Sequence, residues 1–149
     1  MRKAHNYQVT VRWTGNDGEG TKTYRSYRRD HVISKHGTPE IPGSSDPSFR
    51  GDPNRYNPEE FLVAALSSCH MLSYLHLCAV NDIVVTDYHD DALGTMQEHE
   101  NGAGEFTHVI LRPKVTIASG DPDKAEALHH EAHELCFIAN SVKTAITVE

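Results

Sequence analysis

Cysteine is scarce in this chain of 149 residues, which contains only three. An odd, sparse set of cysteines argues against a secreted scaffold that is held together by disulfides. Basic residues are also few: 14 lysines and arginines stand against 21 aspartates and glutamates, a net charge of −7. An acidic chain lacks the positive face with which proteins bind nucleic acid or an anionic membrane. We therefore expect neither a nucleic-acid partner nor a membrane partner.

No apolar run with a small-residue cleavage site is present at the amino terminus, where residues 1–7 lead straight into an alternating pattern. This absence argues against a secretory signal, so the expected location is the cytoplasm. In that compartment a disulfide is more often catalytic or transient than structural. Serines and histidines interrupt the apolar segment over 61–80, and we predict that it falls short of a membrane span.

The length suits a single domain with one core, and we predict one domain over residues 1–149. A loop rich in Gly, Pro, Ser and Asp is expected over 36–56, where periodicity is absent. Alternating or turn-flanked apolar patterns predict strands at 7–13, 21–27, 31–35, 83–99, 105–117 and 144–148. These patterns predict an α+β fold with antiparallel pairing.

Two helices are predicted, and each has a clear start signal. The first has Asn57 as its N-cap, Pro58 at the first helical position and Glu60 at N3, and it is expected to end near Asn81. The second is expected over 121–135, where a capping Asp-Pro pair precedes apolar residues at helical spacing.

Two cysteines are candidates for thiol chemistry, one within the first predicted helix and one directly after the second. Cys69 lies twelve residues after the first N-cap, too far to benefit from the helix dipole, so a cation from elsewhere must stabilise its thiolate. Cys136, after the second helix, could condense with a sulfenic acid on Cys69 to form a disulfide. The alternative is that both are inert buried residues. Cys78 is assigned to packing.

Eleven histidines raise the possibility of a metal site, above all His129 and His133, which share a helical face. The metalloprotease pattern needs a glutamate directly after the first histidine of the pair, whereas Glu131 is the second residue after His129. No cysteine pair has the spacing of a zinc ribbon. We interpret these histidines as solvated residues of a helix face, and we expect neither a metal nor another cofactor.

Three segments together resemble the OsmC/Ohr family, named for osmotically inducible protein C and organic hydroperoxide resistance protein. They are Asn57-Pro58-Glu59-Glu60, Ser67-Ser68-Cys69-His70, and His133-Glu134-Leu135-Cys136 through Asn140-Ser141. The resemblance covers nearly the whole chain. It implies an intertwined α+β homodimer, with antiparallel sheets wrapped around central helices and active sites at the subunit interface.

The resemblance also implies an antioxidant, stress-response activity: the thiol-dependent reduction of organic hydroperoxides to alcohols. An external dithiol would recycle the enzyme, and in one branch of the family this is a lipoyl group on a protein. His70 and Phe137 stand where the family often has an aromatic residue and a proline, which indicates a divergent branch.

Residue roles follow from the same resemblance. Cys69 matches the peroxidatic cysteine, Cys136 the resolving cysteine, and Glu59 the acid that orients an activating arginine. For that arginine we favour Arg50, because it precedes the first helix at about the family distance. The other candidates in the same region are Arg55 and, less favoured, Arg25, Arg28 and Arg29.

The separation of Glu59 from Cys69 predicts a dimer. Ten residues of one helix span about 15 Å along its axis, too far for one arginine to bond both side chains. We therefore expect Glu59 to come from the partner subunit of an obligate dimer. A simpler role for Glu59 is to face the positive end of its own helix.

An alternative function is a non-catalytic binding module, with an apolar or acyl ligand held in the pocket at the dimer interface. In that case the thiols would be incidental, and aromatic side chains would line the pocket. The candidates are Phe49, Tyr56, Phe61 and Phe137.

Overall fold

The computed structural model describes residues 2–149, which divide into two compact units. The first unit ends at Phe61, and the second runs from Leu62 to Glu149. The mixture of helices and largely antiparallel sheets confirms the predicted α+β class. One domain over residues 1–149 stays a prediction.

The first unit contains a three-stranded antiparallel sheet in the order β1–β2–β3. Its strands are β1 (Thr10–Trp13), β2 (His31–Ser34) and β3 (Ile41–Gly43). The third strand and a short 3-10 helix, Pro47–Phe49, interrupt the region that was predicted to be an unbroken loop.

Residues 21–27 form turns, so the strand predicted there is wrong, and β1 pairs with β2 instead. The cause is local. The side chain of Asn16 accepts the N–H groups of Gly18 and Gly20, which folds the chain into a turn. The guanidinium of Arg29 then lies 4.5 Å from the ring of Tyr24 and 3.8 Å from that of Tyr27. The tyrosines thus stack on a cation instead of joining a sheet.

Helix α1 (Pro58–Val80) begins as predicted. The N–H of Asn57 donates to Glu60 Oε1, and the N–H of Glu60 donates to Asn57 Oδ1, both at 2.9 Å. This reciprocal capping box satisfies two of the free donors at the helix start. The helix ends just before Asp82, whose φ of 59° lies in the left-handed region.

Among the described helices, α1 alone is long and apolar enough to cross a membrane, judged by length and composition. Its mean hydropathy over the scored window is 1.5. The prediction that its serines and histidines place it below that threshold is therefore wrong. A core helix of a soluble protein meets the same criterion, and 28% of this window is buried within the chain.

The second unit contains two sheets. In one, β4 (Val84–Asp90) pairs antiparallel with β7 (Pro113–Ser119). In the other, β6 (Gly104–Leu111) pairs antiparallel with β5 (Leu93–Glu98) and parallel with β8 (Ala145–Val148). The strand predicted over 83–99 is therefore two strands, β4 and β5, and the strand predicted over 105–117 is two strands, β6 and β7. In each case the two strands belong to different sheets. The parallel pairing of β8 departs from the predicted antiparallel pairing.

Helix α2 (Pro122–Leu135) follows its predicted cap, because Asp121 Oδ1 accepts the N–H of Asp123 at 2.9 Å. Two apolar clusters hold the second unit together. One contains Leu66 of α1 against Val109 and Leu111 of β6. The other joins α1 to α2 and is formed by Tyr74, Leu77, Cys78, Ile83, Ala125, Leu128 and Ala132. Cys78 is thus a packing residue, as predicted.

Candidate functional site

Cys69 and Cys136 are neighbours in the second unit. Cys69, in the middle of α1, is partly exposed, whereas Cys136, which follows α2, is 1% exposed. Both are free thiols. Burial above all, and then the neighbouring thiol of Cys69, raise the pKa of Cys136 to about 11. The fold therefore brings together the two thiols that the sequence singled out.

The turn after α2 fixes the position of Cys136. The backbone of Cys136 turns to an extended conformation, which ends the helix. The side-chain amide of Asn140 then donates to the carbonyls of Glu134 and Cys136, at 2.9 and 3.0 Å. The N–H of Ala139 donates to Cys136 Sγ at 3.4 Å. This last contact favours a thiolate, but burial outweighs it, so Cys136 holds its proton at neutral pH.

A pair of histidines forms a second polar contact between the same helices. His70, directly after Cys69, is 1% exposed, and its Nε2 lies 3.1 Å from Nδ1 of His129. The His129 ring stacks on Tyr74 with a centroid separation of 3.9 Å. Burial, followed by the charges of His129 and His133, lowers the pKa of His70 to about 4. At neutral pH this pair is uncharged.

The prediction of solvated histidines on α2 is wrong for His129 and His133, which are half-buried on the side that packs against α1. Only His130 is exposed, and it pairs with Glu134 at 3.1 Å. A signal was available in the sequence, since His129 and His133 follow the buried Ala125 at intervals of four residues. Within residues 2–149, no group of three or more His, Cys, Asp and Glu side chains has an arrangement that could hold a metal ion.

Asp90 connects α1 to the junction between the two sheets. One carboxylate oxygen accepts the hydroxyl of Ser67 at 2.5 Å, and the other accepts the N–H of Arg112 at 2.7 Å. Ser67 lies two residues before Cys69, so this contact fixes the turn of α1 that carries the thiol. The hydroxyl of Ser67 thus has a structural partner.

In the first unit, Arg55 is held by local contacts. Its guanidinium donates to the carbonyls of His31 and Gly43, at 3.1 and 3.4 Å, and lies 3.6 Å from the carboxylate of Asp30. Asp30 is 7% exposed and also pairs with Arg28 at 2.7 Å. Together with the stacked Arg29, these arginines support the fold of the first unit.

Arg50 and Glu59 are available for other partners. Arg50 is exposed at the end of the short 3-10 helix, and Glu59 is half-buried in the first turn of α1. Among residues 2–149, neither side chain has a hydrogen-bond or ion-pair partner, and the side chain of Arg25 has none either. The assignment of Cys69, Cys136, Glu59 and Arg50 to one site stays a prediction.

Comparisons with known proteins identify the family. The family model described as OsmC-like protein matches residues 51–149. An OsmC-like protein of unknown function from Vibrio cholerae is 36% identical, with a TM-score of 0.87 over 98% of this chain and 99% of that one. An organic hydroperoxide resistance protein from Elizabethkingia anophelis is 20% identical, with a TM-score of 0.69 over 98% and 95% of the two chains.

A second organic hydroperoxide resistance protein, from Bacillus subtilis, is 19% identical, with a TM-score of 0.60 over 96% of this chain and 97% of that one. At these identities the two resistance proteins show a shared fold alone. A search of curated proteins finds no match to this chain. The family model and the Vibrio relative confirm the predicted resemblance: the chain belongs to the OsmC-like protein family.

Proposed function

We propose that this protein is a cysteine-based peroxidase that reduces organic hydroperoxides to alcohols. One observation carries the proposal: a partly exposed thiol, Cys69, interacts with a buried thiol, Cys136, that a hydroperoxide in solution cannot readily reach. The names of structural relatives that share the fold support the substrate class.

The first step oxidises Cys69. Its thiolate attacks the outer oxygen of the hydroperoxide, an S–O bond forms, and the O–O bond breaks. The sulfur loses two electrons and becomes a sulfenic acid, while the alkoxide takes up a proton and leaves as the alcohol. A cation beside the reacting oxygens would stabilise the charge that develops as the bond breaks.

We assign that cation to Arg50, with Glu59 of a second subunit as the carboxylate that orients it. Arg28, Arg29 and Arg55 are engaged within the first unit, which leaves Arg25 and Arg50 without a side-chain partner among residues 2–149. Of these two, Arg50 precedes α1 at about the distance that the family resemblance implies. A homodimer also accounts for the apolar side chains of α1 that are exposed in one chain, such as Leu72 and Val80.

The second step forms a disulfide. The sulfur of Cys136 attacks the sulfenic sulfur of Cys69, and the hydroxyl leaves with the thiol proton as water. A Cys136 that is still protonated at neutral pH can supply this proton itself. An external dithiol, which the family resemblance identifies with a lipoyl group on a protein, then reduces the disulfide and is itself oxidised.

Consumption of cumene hydroperoxide in the presence of a dithiol tests the proposal. We expect turnover by the unmodified protein and none by Cys69→Ser, because serine has no reactive thiolate. The matched control is Cys78→Ser, which removes a thiol of the core and keeps both reacting ones. Turnover that survives Cys69→Ser contradicts the peroxidase and favours a binding module with incidental thiols.

A further inference from the structure

We propose that the hydrogen bond between His70 and His129 positions Cys69 for disulfide formation with Cys136. This inference rests on the peroxidase function proposed above. His70 directly follows Cys69 on α1, and His129 lies seven residues, about two helical turns, before Cys136 on α2. Each histidine is thus on the helix that carries or precedes one of the two thiols.

The contact defines how α2 lies against α1. His129 meets two rings of α1 at once: its Nδ1 lies 3.1 Å from Nε2 of His70, and its face stacks on Tyr74 within 5° of parallel. The hydroxyl of Tyr74 in turn donates to the carbonyl of Ala125 on α2 at 2.8 Å. Apolar packing alone lets helices slide, whereas these directional contacts specify one register.

Only one proton lies between the two imidazoles. Nδ1 of His70 is buried and has no hydrogen-bond partner among the described residues. A buried N–H without a partner is rarer than a buried acceptor without one. We therefore assign the shared proton to Nε2 of His70, which donates to Nδ1 of His129. Glutamine at position 70 can keep such a donor, whereas phenylalanine keeps the ring and removes it.

The two chemical steps differ in how much they depend on this register. Attack on a hydroperoxide needs a thiolate and a mobile substrate, but a disulfide forms only when two fixed Cα atoms and both side chains meet a narrow geometry. A displacement of about 1 Å can slow such an intramolecular step about 100-fold. Loss of the histidine contact should therefore slow the second step and spare the first.

A single turnover with one equivalent of cumene hydroperoxide separates the steps. Dimedone labelling measures the sulfenic acid on Cys69, and peptide mass spectrometry of quenched samples measures the link between Cys69 and Cys136. We expect His70→Phe to form the sulfenic acid at a nearly unchanged rate and the disulfide about 10-fold or more slowly. His70→Gln should recover most of the disulfide rate, and the control His130→Ala, an exposed neighbour, should match the unmodified protein.

Equal disulfide rates in the unmodified protein and a folded His70→Phe variant would overturn the positioning role, as would a His70→Gln variant that is as slow as His70→Phe. If His70→Phe does not fold, the pair His129→Asn and His129→Leu provides the same comparison, because asparagine keeps an acceptor and leucine does not. Unmodified protein that forms no disulfide contradicts the peroxidase function instead, so the two failures are distinct.

Discussion

The thiol of Cys136 interacts with the thiol of Cys69, although Cys136 lies beyond the end of α2 and Cys69 lies in the middle of α1. The pair is asymmetric, because Cys69 is partly exposed and Cys136 is buried. This asymmetry matches a division of labour in which one thiol meets the substrate and the other meets only its neighbour.

The asymmetry predicts the order in which the three thiols react. We expect iodoacetamide at pH 7.5 to modify Cys69 first, since Cys78 and Cys136 are each 1% exposed and burial raises the pKa of both. The thiolate is the form that reacts, so burial protects Cys78 and Cys136 in two ways: it restricts access of the reagent, and it keeps the thiols protonated. Time-resolved labelling followed by peptide mass spectrometry checks the order, and faster labelling of Cys136 than of Cys69 would contradict it.

Arg50 and Arg55 should respond differently to substitution. Arg50→Ala should lower peroxidase activity about 100-fold through loss of the stabilising cation. Its free energy of unfolding should change by less than about 0.5 kcal/mol. Arg55→Ala should cost about 1–3 kcal/mol of stability, because it takes a partner from the buried Asp30.

Urea denaturation and peroxide consumption, measured on both variants, separate these effects. Arg50→Lys serves as the matched control that keeps the charge and loses the planar donor group. A fully active Arg50→Ala, beside a stable but inactive Arg55→Ala, would move the assignment to Arg55.

Mixed dimers test whether Glu59 acts across a subunit interface. Glu59→Gln and Cys69→Ser should each be weakly active or inactive alone. If Glu59 serves the thiol of its partner, a mixed dimer contains one intact site, and random reassortment should restore about a quarter of the unmodified activity. If Glu59 serves its own chain, mixing restores nothing. Sedimentation velocity on the same samples verifies that the dimer forms.

Stability should fall as the pH drops below neutral, because of His70. Its pKa is about 4 in the folded protein, against the ordinary 6.5 in the unfolded chain, so the unfolded chain takes up the proton first. The full stability is present above pH 6.5, and up to about 3 kcal/mol is lost as the pH approaches 4. The groups around His70 are His129 and His133 of α2, Asp90 of β4, and Tyr74 of α1 itself.

Urea denaturation at pH 7, 5.5 and 4.5 measures this loss. His70→Gln should flatten the profile, although His129, whose pKa is also lowered by burial, keeps a smaller slope of the same sign. An unmodified protein and a His70→Gln variant with the same pH profile would show that His70 is not the group responsible.

Local signals predicted the helices well. The capping box of Asn57 and Glu60 and the cap of Asp121 act within one helical turn, so the residues that form them are adjacent in the sequence. The cysteine pair was predicted because thiols are rare in the chain and each lay on or beside a predicted helix. That they are neighbours depends on the packing of α1 against α2, which periodicity alone does not specify.

Long-range pairing was the part that sequence patterns did not predict. Residues 21–27 follow a turn-rich segment and were predicted to form a strand, but Arg29 offers their tyrosines a competing partner. The parallel pairing of β8 with β6 depends on where the chain returns after α2. The contact between His70 and His129 depends on how α1 and α2 pack, so the sequence alone did not predict it.

Intact-protein and peptide mass spectrometry after one equivalent of organic hydroperoxide tests the central claim most directly. The account predicts a loss of two hydrogen atoms from the chain and a cross-linked peptide that joins residues 69 and 136, with Cys78 still reduced. A reaction that leaves all three thiols free, or one that oxidises Cys78 and spares the other two, would contradict it.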